Sequence, residues 1–241
     1  MARTFYDSLG LNEDAVMDLS MLEGTGSITH DESKSHIMAT THATLGVPVW
    51  QALATGHYGL SINPTPLVAW EQYLDAPAAD TAALDFTSGD YSLAVWFYWT
   101  DSGLSQVIMG KYMVNVRGWE VYITRVGALD YMTVRHHHAG GASLRTASYS
   151  LGWVPNELHL FSYSRIGTTG YHYRDGQPIT TVSDVLIDPA SSAASDLVIG
   201  SRYTHDANWF HARFHRPRAW ARALTADEHR QWYDHGAGWF A

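Results

Sequence analysis

Nine consecutive residues constrain this chain more than any others: Tyr91-Ser92-Leu93-Ala94-Val95-Trp96-Phe97-Tyr98-Trp99. Along an extended strand, alternate side chains point to opposite faces. One face of this run carries Leu93, Val95, Phe97 and Trp99, and the other carries Ala94, Trp96 and Tyr98. Neither face is polar. Such a strand belongs at the centre of a sheet, covered on both sides or bordering a groove.

The rest of the chain repeats the extended pattern in shorter pieces. Apolar-alternating runs cover 15–22, 27–31, 58–62, 106–111, 119–124, 129–134, 157–163, 170–174, 196–200 and 209–220. Gly and short polar clusters separate them, which is the signature of a β-sandwich. Gly127 suits a hairpin between 119–124 and 129–134, and Asp175-Gly176 between alternating runs is a strong hairpin signal. In the last run Phe210, Ala212 and Phe214 face one way, and His211, Arg213 and His215 the other. One helix is well specified. Thr225-Ala226-Asp227-Glu228 is a capping box, in which the Thr225 hydroxyl and the Glu228 carboxylate each satisfy a backbone N–H. Gly236 is the expected stop. Residues 63–82, with three Pro, read as a long loop or insertion, and residues 1–14 as a polar arm ahead of one domain at 15–241.

Composition excludes several classes. The formal net charge is −9 with His neutral, which argues against a nucleic-acid partner, since that needs clustered Lys and Arg. With no Cys there is no disulfide, thiolate metal site or thiol nucleophile. No run of about 18 apolar residues exists, so no membrane span is expected. Met1-Ala2-Arg3-Thr4-Phe5-Tyr6-Asp7 lacks the apolar core of a signal peptide, so the general secretory route is not expected either. The ten Trp and 14 Tyr are high for a chain with 16% charged residues. Aromatic rings favour strands and contact surfaces. The 14 His read as solvated surface imidazoles, whose protonation between about pH 7 and 5 would swing the net charge toward positive.

The order of these motifs resembles the laminin-G-like and pentraxin-like branch of the concanavalin A-like superfamily. Residues 15–31, with Leu22-Glu23-Gly24-Thr25-Gly26 and Asp31, look like the family's opening strand, its turn and the Asp after it. Residues 90–99 resemble the strand that holds a Trp, here Trp96, and 119–134 resemble its Trp-bearing hairpin. Trp153 to Gly176 resembles the Trp, the buried strand and the strand leading to an Asp-Gly turn. Leu197 to Tyr233 resembles the Ile-Gly turn, the Arg-containing strand, the capped helix and the closing Trp-Tyr. The chain departs from the pattern at Lys34 and Ala212, where the family often has Gly, and in its long segment at 63–82. The resemblance implies an all-β, two-sheet antiparallel jelly-roll sandwich with one short C-terminal helix. It also implies calcium as the ion, held by loop carboxylates, with Asp31 and Glu32 as the candidates. Stand-alone domains that look like this one often occur among tailed-bacteriophage structural proteins. The expected role is therefore a virion component, a capsid-decoration or tail-associated subunit contacting other virion subunits or its own copies.

Two alternatives remain beside that role. The first is a carbohydrate-binding lectin, with Tyr98, Trp119 and Tyr122 lining a concave sheet face, because flat rings with polar edges suit sugar faces. The ordinary reading of such rings is core. The second is a glycoside hydrolase or lyase of the same fold. Glucanases need two carboxylates about 5 Å apart for retaining chemistry, and no Glu-x-Asp-x-x-Glu run occurs here. The chain also has no Gly-x-Ser-x-Gly elbow and no phosphate loop, so it is expected not to be an enzyme. His136-His137-His138, and His211 with His215, carry ring nitrogens that bind transition metals. A three-His run is nonetheless expected to be exposed and unligated.

Overall fold

The computed structural model describes residues 10–12, 14–53, 55–65, 71–138, 144–205 and 207–240, so most of the arm expected at 1–14 lies outside the described residues. In chain order the strands are β1 (Ala15–Asp18), β2 (Ile28–His30), β3 (Met38–His42), β4 (Val49–Ala52), β5 (Tyr58–Ile62) and β6 (Tyr73–Ala76). A short 3-10 turn, Ala82–Leu84, precedes β7 (Tyr91–Trp99), β8 (Gln106–Met113), β9 (Arg117–Val126) and β10 (Leu129–His137). Then follow β11 (Leu144–Ser150), β12 (Leu158–Ile166), β13 (Thr169–Arg174), β14 (Gln177–Pro178), β15 (Val182–Ser183), β16 (Leu197–Ile199) and β17 (Ala212–Trp220). Helix α1 (Ala226–Phe240) closes the chain.

Among the described residues the strands form two antiparallel sheets, the expected jelly-roll sandwich. One, of eight strands, runs β14-β13-β12-β7-β17-β5-β4, with β1 also paired to β17. The other, of nine strands, runs β15-β11-β10-β9-β8-β16-β6-β3-β2. Strand β7 lies in the middle of the first sheet, between β12 and β17. Leu93, Val95, Phe97 and Trp99 enter the inter-sheet core, where they meet Met109, Trp119, Val121, Ile123, Met132 and Val134 of the second sheet. Phe97 contacts Trp153 and Phe210 edge-on, with ring centroids 5.3 and 5.4 Å away.

The outer face of β7 is covered as well, but by different material. Ala94 and Trp96 sit in a second apolar cluster with Leu11, Ala15, Leu160, Trp220, Leu224 and Trp232. Helix α1 supplies the lid. Its start is the expected capping box: Glu228 N–H donates to the Thr225 hydroxyl at 3.2 Å, and Thr225 N–H donates to the Glu228 carboxylate at 2.7 Å. Its end differs from expectation. Gly236 does not stop the helix, which continues to Phe240. A Cβ at Gly236 would stand 2.6 Å from the Trp96 indole. The glycine is there so that the helix backbone can lie against that ring.

Strand β17 carries two partners along its length. Ala212–Phe214 pair with β5, and Arg218–Trp220 pair with β1. Between them a bulge breaks the ladder to β7 at Arg216-Pro217. The bulge turns Arg216 onto Asp18. Arg216 Nε and Nη2 both donate to the Asp18 carboxylate at 2.8 Å, and Arg218 Nη2 adds a third bond at 2.7 Å. Burial alone would raise the Asp18 pKa, and the two guanidinium charges overcome it and hold the carboxyl below its ordinary value.

The segment 63–82 is not one long loop. Tyr73–Ala76 is an internal strand of the nine-stranded sheet, between β16 and β3. Leu74 and Ala76 point into the core and Tyr73 and Asp75 point out. Its four residues are too short to stand out beside three prolines. The Asp175-Gly176 turn between β13 and β14 forms as expected, with φ of 51° and 74° at its two residues. Among the described residues no helix is long and apolar enough to cross a membrane.

Two glycines of α1 give a paired prediction. Gly-to-Ala in a helix interior ordinarily stabilises by roughly 0.5–1 kcal/mol. Gly238, with nothing within 4 Å of an added Cβ, should show that gain as Gly238→Ala in urea unfolding. Gly236→Ala should instead destabilise by about 1–2 kcal/mol, because the new methyl overpacks Trp96. Equal gains at both positions would mean that α1 does not seat on Trp96.

Candidate functional site

The outer face of the nine-stranded sheet holds a shallow groove of 310 Å³ over β9, β10 and β11, lined by Tyr122, Thr124, Val126, Tyr131, Thr133, Thr146 and Ser148. Strand register explains the set. Tyr122 stands opposite Thr133, which stands opposite Ser148, and Thr124 stands opposite Tyr131. The inward residues of the same strands, Val121, Ile123, Met132, Val134 and Ala147, are core. Alternation therefore leaves two half-buried tyrosines, diagonal to one another, among four hydroxyl side chains. The Thr124 hydroxyl donates to Thr133 at 3.2 Å. At one end Arg135 lies against the Tyr112 and Tyr122 rings, 4.5 and 4.3 Å from their centroids, and pairs with the buried Glu120. That stacking holds the Tyr122 ring in place.

The three rings expected to share one face do not. Trp119 is buried in the inter-sheet core and its indole N–H donates to the Leu84 carbonyl at 2.9 Å. It neighbours Tyr122 in sequence but points to the opposite side of the strand. Tyr98 lies on the outer face of the other sheet, in a separate pocket of 370 Å³ lined by Gln51, Ser61, Pro64, Thr100, Asn156, Ala212 and Arg213. Tyr122 alone of the three lines the groove. Tyr131, which the sequence did not single out, completes it. Its signal was the Thr and Tyr alternation on both arms of the 119–134 hairpin.

Asp31 and Glu32 do not fit a calcium site. The Asp31 carboxylate accepts four bonds from protein donors: Asp18 N–H at 2.6 Å, Ser33 N–H at 2.8 Å, Ser33 hydroxyl at 2.7 Å and Ile37 N–H at 3.1 Å. Those bonds use the lone pairs a cation would need. Glu32 pairs with Arg216 at 3.3 Å. Burial, and then the nearby Asp18 charge, raise its pKa against the pull of Arg216. Both side chains brace the β1–β17 corner. Among the described residues, no group of three His, Asp or Glu stands close enough to hold a metal.

The histidines also differ from expectation. His136, His137 and His138 are buried, not exposed. His136 bonds the Tyr91 hydroxyl at 2.6 Å and the Ile187 carbonyl at 3.1 Å. His211 and His215 each donate from Nδ1 to a carbonyl, of Asn63 at 2.8 Å and of Tyr58 at 2.9 Å. Four residues along a strand separate them by about 13 Å, too far for one metal ion.

A family model of the concanavalin A-like lectin/glucanases superfamily matches residues 71–228. The chain belongs to that superfamily. No curated protein matches it in sequence. Among solved structures, the receptor-binding domain of botulinum neurotoxin C/D mosaic serotype superposes with a TM-score of 0.68 at 11% identity, over 93% of this chain and 52% of that one. The binding domain of serotype G gives 0.67 at 14%, over 92% and 51%. At these identities the likeness shows the fold alone, and this concanavalin A-like chain spans about half the length of those toxin chains.

Superfamily membership leaves binding and hydrolysis both open, so the carboxylates matter. Among the described residues, four surface pockets, including the two above, contain a single carboxylate between them, that of Asp130. Paired-carboxylate glycoside hydrolysis needs two in one cleft. The structural neighbours named above are binding domains.

The buried imidazoles of this domain make its stability depend on pH. Burial lowers the pKa of His136 and His215 from 6.5 to about 4, and of His172 and His229 to about 3. Below pH 6.5 the unfolded chain binds protons that the fold excludes. The stability they supply is complete above that pH and is lost as the pH falls toward their folded values. At pH 5 each imidazole should cost about 2 kcal/mol. Urea midpoints should drop steeply between pH 7.5 and 5, and His172→Gln should make the drop shallower. A flat profile would show that these rings are not held neutral.

Proposed function

We propose that this chain is a non-catalytic glycan-recognition module whose contact surface is the groove over β9, β10 and β11. The observation that carries this is the carboxylate-free lining of Tyr122 and Tyr131 with Thr124, Thr133, Thr146 and Ser148. Tyrosine rings offer flat apolar area with a polar edge. The hydroxyls beside them both donate and accept, as sugar hydroxyls do. Among the described residues the same groove lacks the acid and nucleophile of a glycosidase. Similar folds support the reading in kind. Solved neighbours include one of botulinum neurotoxin type C, whose cell entry depends on interaction with two ganglioside molecules, and a botulinum neurotoxin DC binding domain in complex with SialylT. Another is bound to rat synaptotagmin II. Those ligands belong to chains about twice as long as the matched region.

A second reading keeps the binding fold and places it on a virion, as a capsid-decoration or tail-associated subunit. In its favour stand the exposed apolar side chains Leu45, Val47 and Val49, at 53%, 72% and 50% exposure, leading into and along the edge strand β4. Clustered apolar exposure on a sheet edge marks a contact between chains. Co-sedimentation with capsid or tail particles and analytical ultracentrifugation test it together. A monomer with no affinity for either particle ends this reading.

For the glycan reading, titration of the whole chain with neutral oligosaccharides should give millimolar or tighter binding. Tyr131→Ala, whose ring is half exposed, should weaken it about tenfold with the unfolding midpoint unchanged. Wild-type affinity in Tyr131→Ala, or no binding by the unmodified chain, would remove it.

A further inference from the structure

The pocket on the opposite sheet contains a charge that no described residue neutralises. Arg213 stands between Tyr98 of β7 and Ser61 of β5 in the ladder. Its guanidinium lies 3.8 Å from the Tyr98 ring centroid. Its Nη1 donates to Gln51 Oε1 at 3.0 Å, and its Nε makes no hydrogen bond among the described residues. Among the described residues no carboxylate lies within ion-pair distance of it. Its strand neighbours Arg216 and Arg218 are different, since both pair with Asp18.

The surroundings leave the charge uncompensated. The 370 Å³ pocket is lined by Gln51, Ser61, Thr100 and Asn156, which are neutral and polar, and among the described residues by no acid. Thr100 Oγ1 donates to Asn156 Oδ1 at 3.1 Å, which sets the far wall. Burial, and then the charge of Arg213 itself, keep the adjacent His215 neutral, at a pKa of about 4. A guanidinium fixed by an aromatic ring and a glutamine is pre-organised, and its planar fork matches a carboxylate. Four neutral side chains around it match hydroxyls. A ligand that meets both demands carries one carboxylate and several hydroxyls on a compact ring.

We propose that this pocket binds the carboxylate of an acidic saccharide, with Arg213 as its partner and Gln51, Ser61, Thr100 and Asn156 reading the hydroxyls. The site lies on the other sheet from the Tyr122 groove and does not depend on it. The chain carries a net charge of −9, so a local cation is what admits an anionic ligand to this face.

Calorimetric titration of the full chain with sialyllactose against lactose, and with a glucuronate disaccharide against its methyl ester, tests the assignment. The acids should bind about tenfold tighter than their neutral partners, and the advantage should shrink with added salt. Arg213→Gln should abolish the advantage, and Arg213→Lys should retain part of it, because the charge survives and the fork does not. Unfolding midpoints and circular dichroism confirm that each variant is folded. Tyr122→Ala should leave the acid preference intact, which separates failure here from failure of the groove. Equal affinity for acid and ester, an unchanged preference in folded Arg213→Gln, or no binding of either acid would overturn the proposal. Full displacement of the acid sugar by equimolar inorganic sulfate would also overturn it, since the pocket would then hold anions without reading a sugar.

Discussion

The fold depends on one constraint, that β7 is apolar on both faces. A sheet that contains it must be covered twice. The second sheet covers the face of Leu93, Val95, Phe97 and Trp99, and α1 covers Ala94 and Trp96. The two covers are unequal in length. The second sheet covers the strand out to Trp99, whereas on the outer face Tyr98, two residues beyond Trp96, is only half-buried. The open end of an otherwise buried strand is what creates the Arg213 pocket. The hydrophobic requirement that places the helix thus also sets where a ligand can reach the sheet.

A second set of contacts ties the ends of the chain together. Asp18 of β1 accepts from Arg216 and Arg218 of β17, and Asp31 fastens the Asp18 backbone. Two buried guanidinium groups on one carboxylate are costly to desolvate and strongly destabilising to break. The node fixes β1 against β17 beside the bulge, and so sets the line along which Arg213, three residues earlier, faces outward. Carboxylates that resemble cation ligands in the sequence are spent on this corner.

Much of the fold was legible because its signals are local. Alternation in β7, the Asp175-Gly176 turn, the Gly127 hairpin and the Thr225–Glu228 box each act within a few residues, and each appears where expected. Strand β6 was missed because four residues between prolines carry little periodic signal, and their pairing with β16 and β3 is a long-range event. Gly236 was misread because a glycine near a helix end looks the same whether it ends the helix or makes room for a ring. Trp96, its reason, lies 140 residues away in sequence.

The candidate sites show where sequence alone ends. By itself it determined that the chain forms a two-sheet sandwich with a capped terminal helix, that it has no thiol chemistry, and that its strands alternate Tyr and Thr with core residues. Only the tertiary structure decided that Trp119 is core, that Tyr98 and Tyr122 lie on opposite outer faces, and that seven of the histidines, His136 to His138 among them, are buried. It alone decided that Arg213 has no acid beside it among the described residues. Periodicity gives the side of a strand on which a residue sits. Which side faces water, and what charge lies across the ladder, is set by pairing between distant segments.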